Sequence, residues 1–128
     1  MSQTEPIYPY PLSLFQGWKG LFNPYYPVTV AESATASSTI SCGGLSLVGL
    51  LLPATLSSTT ISFKASIDNT NFYPVYNSDT GDEITYTVAE GQYMAIDPKY
   101  FQGIQYLQLV MGTEEAAART IIASLKGI

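Results

Sequence analysis

The feature that most constrains this chain is its punctuation. From residue 28 onward, short runs of β-branched and aromatic residues alternate with Gly, Asn, Asp, Ser and Pro every eight to twelve residues or so. Such spacing leaves no room for long helices and asks for many short strands. The clearest case is 61–67, where Ile61, Phe63, Ala65 and Ile67 fall on one face and Ser62, Lys64 and Ser66 on the other. Ile84, Tyr86 and Val88 alternate with Thr85 and Thr87 in the same way. Leu45–Leu52 is instead a continuous apolar run, as expected of a strand buried on both faces.

The remaining strands are read from the same two signals. Val28–Ala31 and Thr35–Ser41 open the series. Phe72–Asn77 holds Pro74, which places it at an edge or a bulge. Gln92–Ile96, Ile104–Met111 and Arg119–Lys126 complete it, with Leu107, Leu109, Met111, Ile121, Ala123 and Leu125 turned inward. Pro98-Lys-Tyr-Phe reads as one helical turn capped by Asp97. Thr113–Arg119 has helix-forming Glu and Ala residues but is short, and reads as a loop or a single turn. The expected fold is all-β: an antiparallel β-sandwich or jelly roll of about eight strands.

Residues 1–27 are different. They hold five of the eight prolines (Pro6, Pro9, Pro11, Pro24, Pro27) and seven of the sixteen aromatics. Proline at that density favours extended backbone over helix or central strand. A disordered linker, however, is poor in aromatics. This segment is therefore expected to be an extended arm whose aromatics need cover. They are Tyr8, Tyr10, Phe15, Trp18, Phe22, Tyr25 and Tyr26. Cover comes either from folding back on the home sandwich or, the favoured reading, from a neighbouring subunit. The expected division is an attachment arm over 1–27 and a sandwich domain over 28–128. At 128 residues the chain holds one such domain.

Composition removes several functions. The net charge is −5, and the five basic residues (Lys19, Lys64, Lys99, Arg119, Lys126) do not cluster. Binding to nucleic acid or to an anionic membrane is not expected. Histidine is absent, which removes Ser-His-Asp and Cys-His machinery and the commonest transition-metal ligand. Cys42 is the single cysteine, so no disulfide forms within the chain, and its neighbours Ser41 and Gly43 do nothing to activate it. The acidic turns Asp68–Asn71 and Asp79–Glu83 offer oxygen atoms suited to calcium, but in no EF-hand spacing, and they read as hairpin chemistry. No catalytic residue, cofactor or metal is expected. The N-terminus lacks the pattern of a signal peptide, and the longest apolar run is too short to span a bilayer. A cytoplasmic origin is expected.

One further pattern bears on role. Gly43-Gly-Leu-Ser-Leu-Val-Gly-Leu is followed by Thr60-Ile-Ser-Phe-Lys-Ala-Ser-Ile-Asp-Asn-Thr-Asn-Phe-Tyr-Pro-Val-Tyr. Ile96-Asp-Pro-Lys-Tyr-Phe-Gln-Gly-Ile-Gln-Tyr-Leu-Gln-Leu and Ala116-Ala-Ala-Arg-Thr-Ile close the series. Over roughly residues 30–127 this resembles small structural proteins of tailed phages, of the capsid decoration (cement) and head-fibre kind. The resemblance implies a virion protein that binds the major capsid protein and stabilises the head, as a homo-oligomer and by analogy a trimer. It supplies no site residues, and the N-terminal arm lies outside it. Competing expectations are a tail or baseplate adaptor, a head-fibre base, or a carbohydrate-binding adhesin using Tyr73, Tyr76, Tyr86, Tyr93, Tyr100 and Tyr106.

Overall fold

In the computed structural model, residues 25–127 are described. They form nine strands in two antiparallel sheets that pack face to face. The strands are β1 (Tyr25–Val30), β2 (Ile40–Ser41), β3 (Ser46–Leu51), β4 (Thr60–Ser66) and β5 (Tyr73–Pro74). They continue with β6 (Thr85–Thr87), β7 (Tyr93–Ala95), β8 (Tyr106–Met111) and β9 (Arg119–Lys126). The four-stranded sheet has the order β1-β9-β3-β7. In the five-stranded sheet the order is β2-β8-β4-β5, with β6 also paired to β4. The expected sandwich is what the sequence folds into.

Its interior is built by period-two alternation. Val28 and Val30 of β1, Ile121, Ala123 and Leu125 of β9, and Leu47 and Leu50 of β3 are buried from one sheet. Ile61 and Phe63 of β4 and Leu107, Leu109 and Met111 of β8 are buried from the other. Phe63 sits at the centre, edge-on to Phe101 at 4.9 Å and to Tyr86 at 5.9 Å between ring centroids. Such T-shaped pairs put a positive ring edge on a negative ring face, which adds to area burial.

Local chemistry explains the connections. Gly43 and Gly44 both have positive φ, 59° and 87°, in the turn that carries the chain from β2 in one sheet to β3 in the other. That backbone favours glycine, which accounts for the Gly-Gly pair. Asp97 accepts a hydrogen bond from the Lys99 N–H at 3.1 Å and caps a 3₁₀ turn over Pro98–Tyr100. The segment 35–38 is stitched between the sheets. Ser37 N–H donates to the Leu109 carbonyl at 2.9 Å, and Ser38 N–H to the Thr29 carbonyl at 2.9 Å.

The loop over 112–118 is not helical. It is held by Glu115, whose carboxylate is wholly buried. Ser57 N–H donates to one oxygen at 2.8 Å and Ser58 N–H to the other at 2.9 Å. Arg119 Nε closes the set at 2.9 Å. Main-chain bonds from Ser33 to Glu115 and from Glu115 to Ala34 tie a third segment to the same point. One residue, through its carboxylate and its main chain, thus fastens three loops at one end of the sandwich.

Three sequence expectations need correction. The first strand starts at Tyr25, three residues before Val28. Pro27 is tolerated because β1 is an edge strand with one side free of ladder bonds. Thr35–Ser41 is not one strand: only Ile40–Ser41 pairs regularly, and Ala36 and Ser37 make isolated bridges. Ile67 does not join Ile61 and Phe63 inside; it is 87% exposed. Strand β4 ends at Ser66, where the Ser66 hydroxyl and the Asp68 carboxylate take over the backbone N–H groups of the following turn.

Candidate interaction surface

The two outer faces of the sandwich differ in chemistry. On the five-stranded sheet the outward positions are mainly polar. Ser62 pairs with Val110, Lys64 with Gln108, and Thr85 and Thr87 flank them. This is the usual arrangement, with polar residues opposite an apolar inner face.

The four-stranded sheet breaks that rule. Its outward side chains follow from the registers and from which neighbours are buried. Pro27 pairs with Ile122, Ile122 with Leu51, and Leu51 with Tyr93. These four residues form one row across all four strands. The next row is Tyr25, Ser124, Gly49 and Ala95. Neither row contains a charge. Tyr25 is 61%, Leu51 46% and Tyr93 54% exposed. Tyr93 leans across the sheet onto the Gly49 backbone, where a Cβ would collide with its hydroxyl and ring. The outcome is an apolar strip running the full width of the sheet. Exposed large apolar groups are ordinary singly; a contiguous row of them marks a contact surface.

Of the seven aromatics expected to anchor the arm, two fall on described residues. Tyr25 stands on the outer row, and Tyr26 points inward, half-buried against the core. Tyr25 therefore stays a contact candidate, whereas Tyr26 serves the fold. Tyr8, Tyr10, Phe15, Trp18 and Phe22 lie outside the described residues. Sequence reasoning missed Leu51, Ile122 and Tyr93 as surface partners of Tyr25. Leu51 sits in an apolar run that reads as buried throughout, and only the register shift between Leu47 and Gly49 shows which residues turn outward.

The six tyrosines weighed for sugar stacking do not form one platform. Tyr73 and Tyr76 are exposed, Tyr106 points out from β8, and Tyr93 belongs to the opposite sheet. Tyr86 and Tyr100 do meet, in an open cleft of about 180 Å³ with Asn77, Thr80, Asp82 and Glu83 on its walls. Asp79 fixes Tyr100 there, accepting from its hydroxyl at 2.8 Å and from Lys99 Nζ at 3.1 Å. Those two bonds, the Tyr100 one foremost, hold the Asp79 carboxyl below its usual range.

The first acidic turn spends its carboxylate largely on the backbone. Asp68 accepts from the N–H groups of Asn71 and Thr70 at 2.9 Å each, and from Ser66 and Asn71 side chains, which keep it ionised well below the ordinary carboxylate range. Among the described residues no three His, Cys, Asp or Glu side chains gather as metal ligands would. Cys42 is buried, and that burial pushes its thiol up to about 11. No helix among the described residues is long and apolar enough to cross a membrane.

No family model matches the chain, and no curated protein matches it in sequence. Its fold is shared with a solved structure. The crystal structure of the SPBc2 prophage-derived protein YomS aligns with a TM-score of 0.50 at 14% identity, over 81% of this chain and 94% of that one. At that identity the likeness speaks for the fold.

Proposed function

We propose that this protein is a non-catalytic structural component of a tailed-phage particle, bound to the head as a decoration protein. The observation that carries the reading is the apolar strip Pro27–Ile122–Leu51–Tyr93 with Tyr25 beside it. A rigid, uncharged row that crosses the whole sheet is a binding surface for protein. The prophage origin of the like-folded YomS and the framework resemblance to phage head proteins support the setting. Residues 1–24 lead directly into Tyr25 in sequence, and we propose their aromatics as further attachment contacts. The major capsid protein is the expected partner. Many copies act at once on a shell, so each contact can be modest and the summed attachment strong. Arrangement as a homotrimer is part of the same proposal.

Quantitative mass spectrometry of purified particles tests it. One copy per capsid subunit, or one per few, is the expected ratio. A dozen copies or fewer would move the protein to the tail, baseplate or a head-fibre vertex, and absence from particles would overturn the reading.

A second reading rests on the Tyr86–Tyr100 cleft, whose aromatic faces and polar walls suit a single sugar ring. Glycan-array binding abolished by Tyr100→Ala would support an adhesin role.

A further inference from the structure

We infer that two copies of this chain join edge to edge through β7, the two β7 strands pairing antiparallel about a two-fold axis at Met94. The inference concerns contact between copies and does not rest on the particle reading. A two-fold contact of this kind can join chains of neighbouring homotrimers as well as single chains.

The direction of the backbone groups shows that this edge is open. Leu52 N–H donates to the Gln92 carbonyl at 2.8 Å, and Ile96 N–H to the Val48 carbonyl at 3.0 Å. Both bonds lie on the β3 side. Alternation then turns the N–H and C=O of Met94 toward β3, and those of Tyr93 and Ala95 away from it. Among the described residues no main-chain group pairs with these outward groups.

The other edges are blunted in ways that proteins commonly use. Strand β1 has Pro27, which lacks an N–H, and its Thr29 already accepts from Ser38 N–H at 2.9 Å and donates to Ser38 Oγ at 3.1 Å. Strand β5 holds Pro74, and β2 is only two residues long. Strand β6 turns Thr85 and Thr87 outward, because Val88 N–H donates to the Thr59 carbonyl on the β4 side. A two-fold pairing of β6 about Tyr86 would, however, set Asp82 opposite the partner's Glu90 at both ends. Like charges directly opposite are destabilising.

Strand β7 is self-complementary in the register proposed. Tyr93 lies opposite the partner's Ala95 and exchanges both main-chain bonds with it, and Met94 lies opposite the partner's Met94. Asp97 falls opposite the partner's Gly91 and Glu90 opposite the partner's Pro98, so no charge meets its like. The pairing also lengthens the apolar strip. Its row Pro27–Ile122–Leu51–Tyr93 runs on into Ala95, Gly49, Ser124 and Tyr25 across the axis, a charge-free path over eight strands, or about 34 Å. A three-residue edge buries far less than the roughly 800 Å² per partner of a stable interface. The pair is therefore weak in dilute solution and is favoured where copies are held close together.

The experiment adds one cysteine at a time to the 128-residue protein, whose own Cys42 is buried and slow to oxidise. The Cα atoms of a directly opposite, non-hydrogen-bonded pair lie about 4.5 Å apart, within disulfide reach. Met94 meets its own copy in this way, whereas Ala95 is offset from the partner's Ala95 by two positions. Under copper–phenanthroline, Met94→Cys should form a linked dimer about tenfold faster than Ala95→Cys, although position 94 is the less exposed of the two. A rate no greater than that of Ala95→Cys, or no linked dimer from folded Met94→Cys, would overturn the inference. Where Met94→Cys does not fold, sedimentation velocity of Ala95→Pro keeps the test open. That proline deletes an N–H that faces away from β3, so the ladder within the chain is kept. It should weaken self-association about tenfold or more. Unchanged association in Ala95→Pro, or a wild type that does not associate even near millimolar concentration, would refute β7 pairing. Neither readout involves particles, so failure here and failure of the decoration reading are separate results.

Discussion

Tyr93 lies over Gly49, its hydroxyl occupying the space that a Cβ at position 49 would need. The two residues sit one strand apart, on adjacent rows of the apolar face. Gly49 has an ordinary backbone conformation, so the glycine is required by the close approach alone. Gly49→Ala must push the phenol ring off the sheet; Tyr93 is half-exposed and can swing outward, so the cost is that of the lost ring contacts, about 1 kcal/mol. In a Tyr93→Ala background the same change should cost under about 0.5 kcal/mol, because the space is then free. Urea unfolding of the two single variants and the double variant measures the coupling. Additive costs would show that the ring does not hold its place by Gly49.

A second prediction follows from Glu115. Its buried carboxylate serves two backbone amides and Arg119, so Glu115→Ala leaves three donors without an acceptor. Removing one member of a buried, hydrogen-bonded ion pair costs about 3–5 kcal/mol. Glu115→Gln keeps an acceptor and should lose less. The same group shapes the acid response. Burial alone would raise its pKa, but the Ser57 and Ser58 amides and Arg119 outweigh burial and lower it from the ordinary 4.5. A depressed folded-state pKa adds stability above 4.5 that falls away as pH drops below it. Denaturation midpoints at pH 7 and pH 3 should differ more in the wild type than in Glu115→Gln.

These two sites show what the sequence made legible and what it did not. Strands β4, β8 and β9 were readable because their inward apolar residues recur at every second position. Their inward residues Phe63, Leu109 and Ile121 are wholly buried as the pattern requires. The capped turn at Asp97-Pro98 was readable because its chemistry is local. Alternation misled at Ile67, since a period says nothing about where a strand stops. The apolar face was hidden for a related reason. Leu51 and Ile122 belong to strands far apart in the chain, and only the β3–β9 register, with its shift after Leu47, sets them side by side. Glu115 falls in a segment that reads as a loop or a single turn, and nothing local gives it a role; that role depends on amides at Ser57 and Ser58, over fifty residues away.

Cys42 gives a third prediction. Its thiol is buried, with a pKa pushed up to about 11, so almost none is thiolate at pH 8. The thiolate is the reactive form. Modification by a disulfide reagent such as dithiobisnitrobenzoate should be at least 100-fold slower in native protein than in urea-unfolded protein. Equal rates would mean that the Gly43–Gly44 turn opens readily and exposes the thiol.

The last prediction separates fold from attachment. Because β1 begins at Tyr25, a deletion through residue 24 should leave every β1–β9 pair from Tyr25–Ser124 to Val30–Arg119 intact. Deletion through residue 27 would remove half of that edge strand and uncover β9. The shorter deletion should therefore unfold cooperatively, while the longer one loses stability. On particles the order of effects is different. The shorter deletion removes Tyr8, Tyr10, Phe15, Trp18 and Phe22 but keeps the strip, whereas Leu51→Lys keeps the segment and charges the strip. A buried anchor residue is worth about 2 kcal/mol or more, or roughly 30-fold in affinity. Each change alone should lower occupancy at limiting protein, and the two together should abolish it. Sedimentation of particles mixed with each purified variant reads this directly. Full occupancy by the doubly altered protein would show that neither the segment nor the strip attaches it.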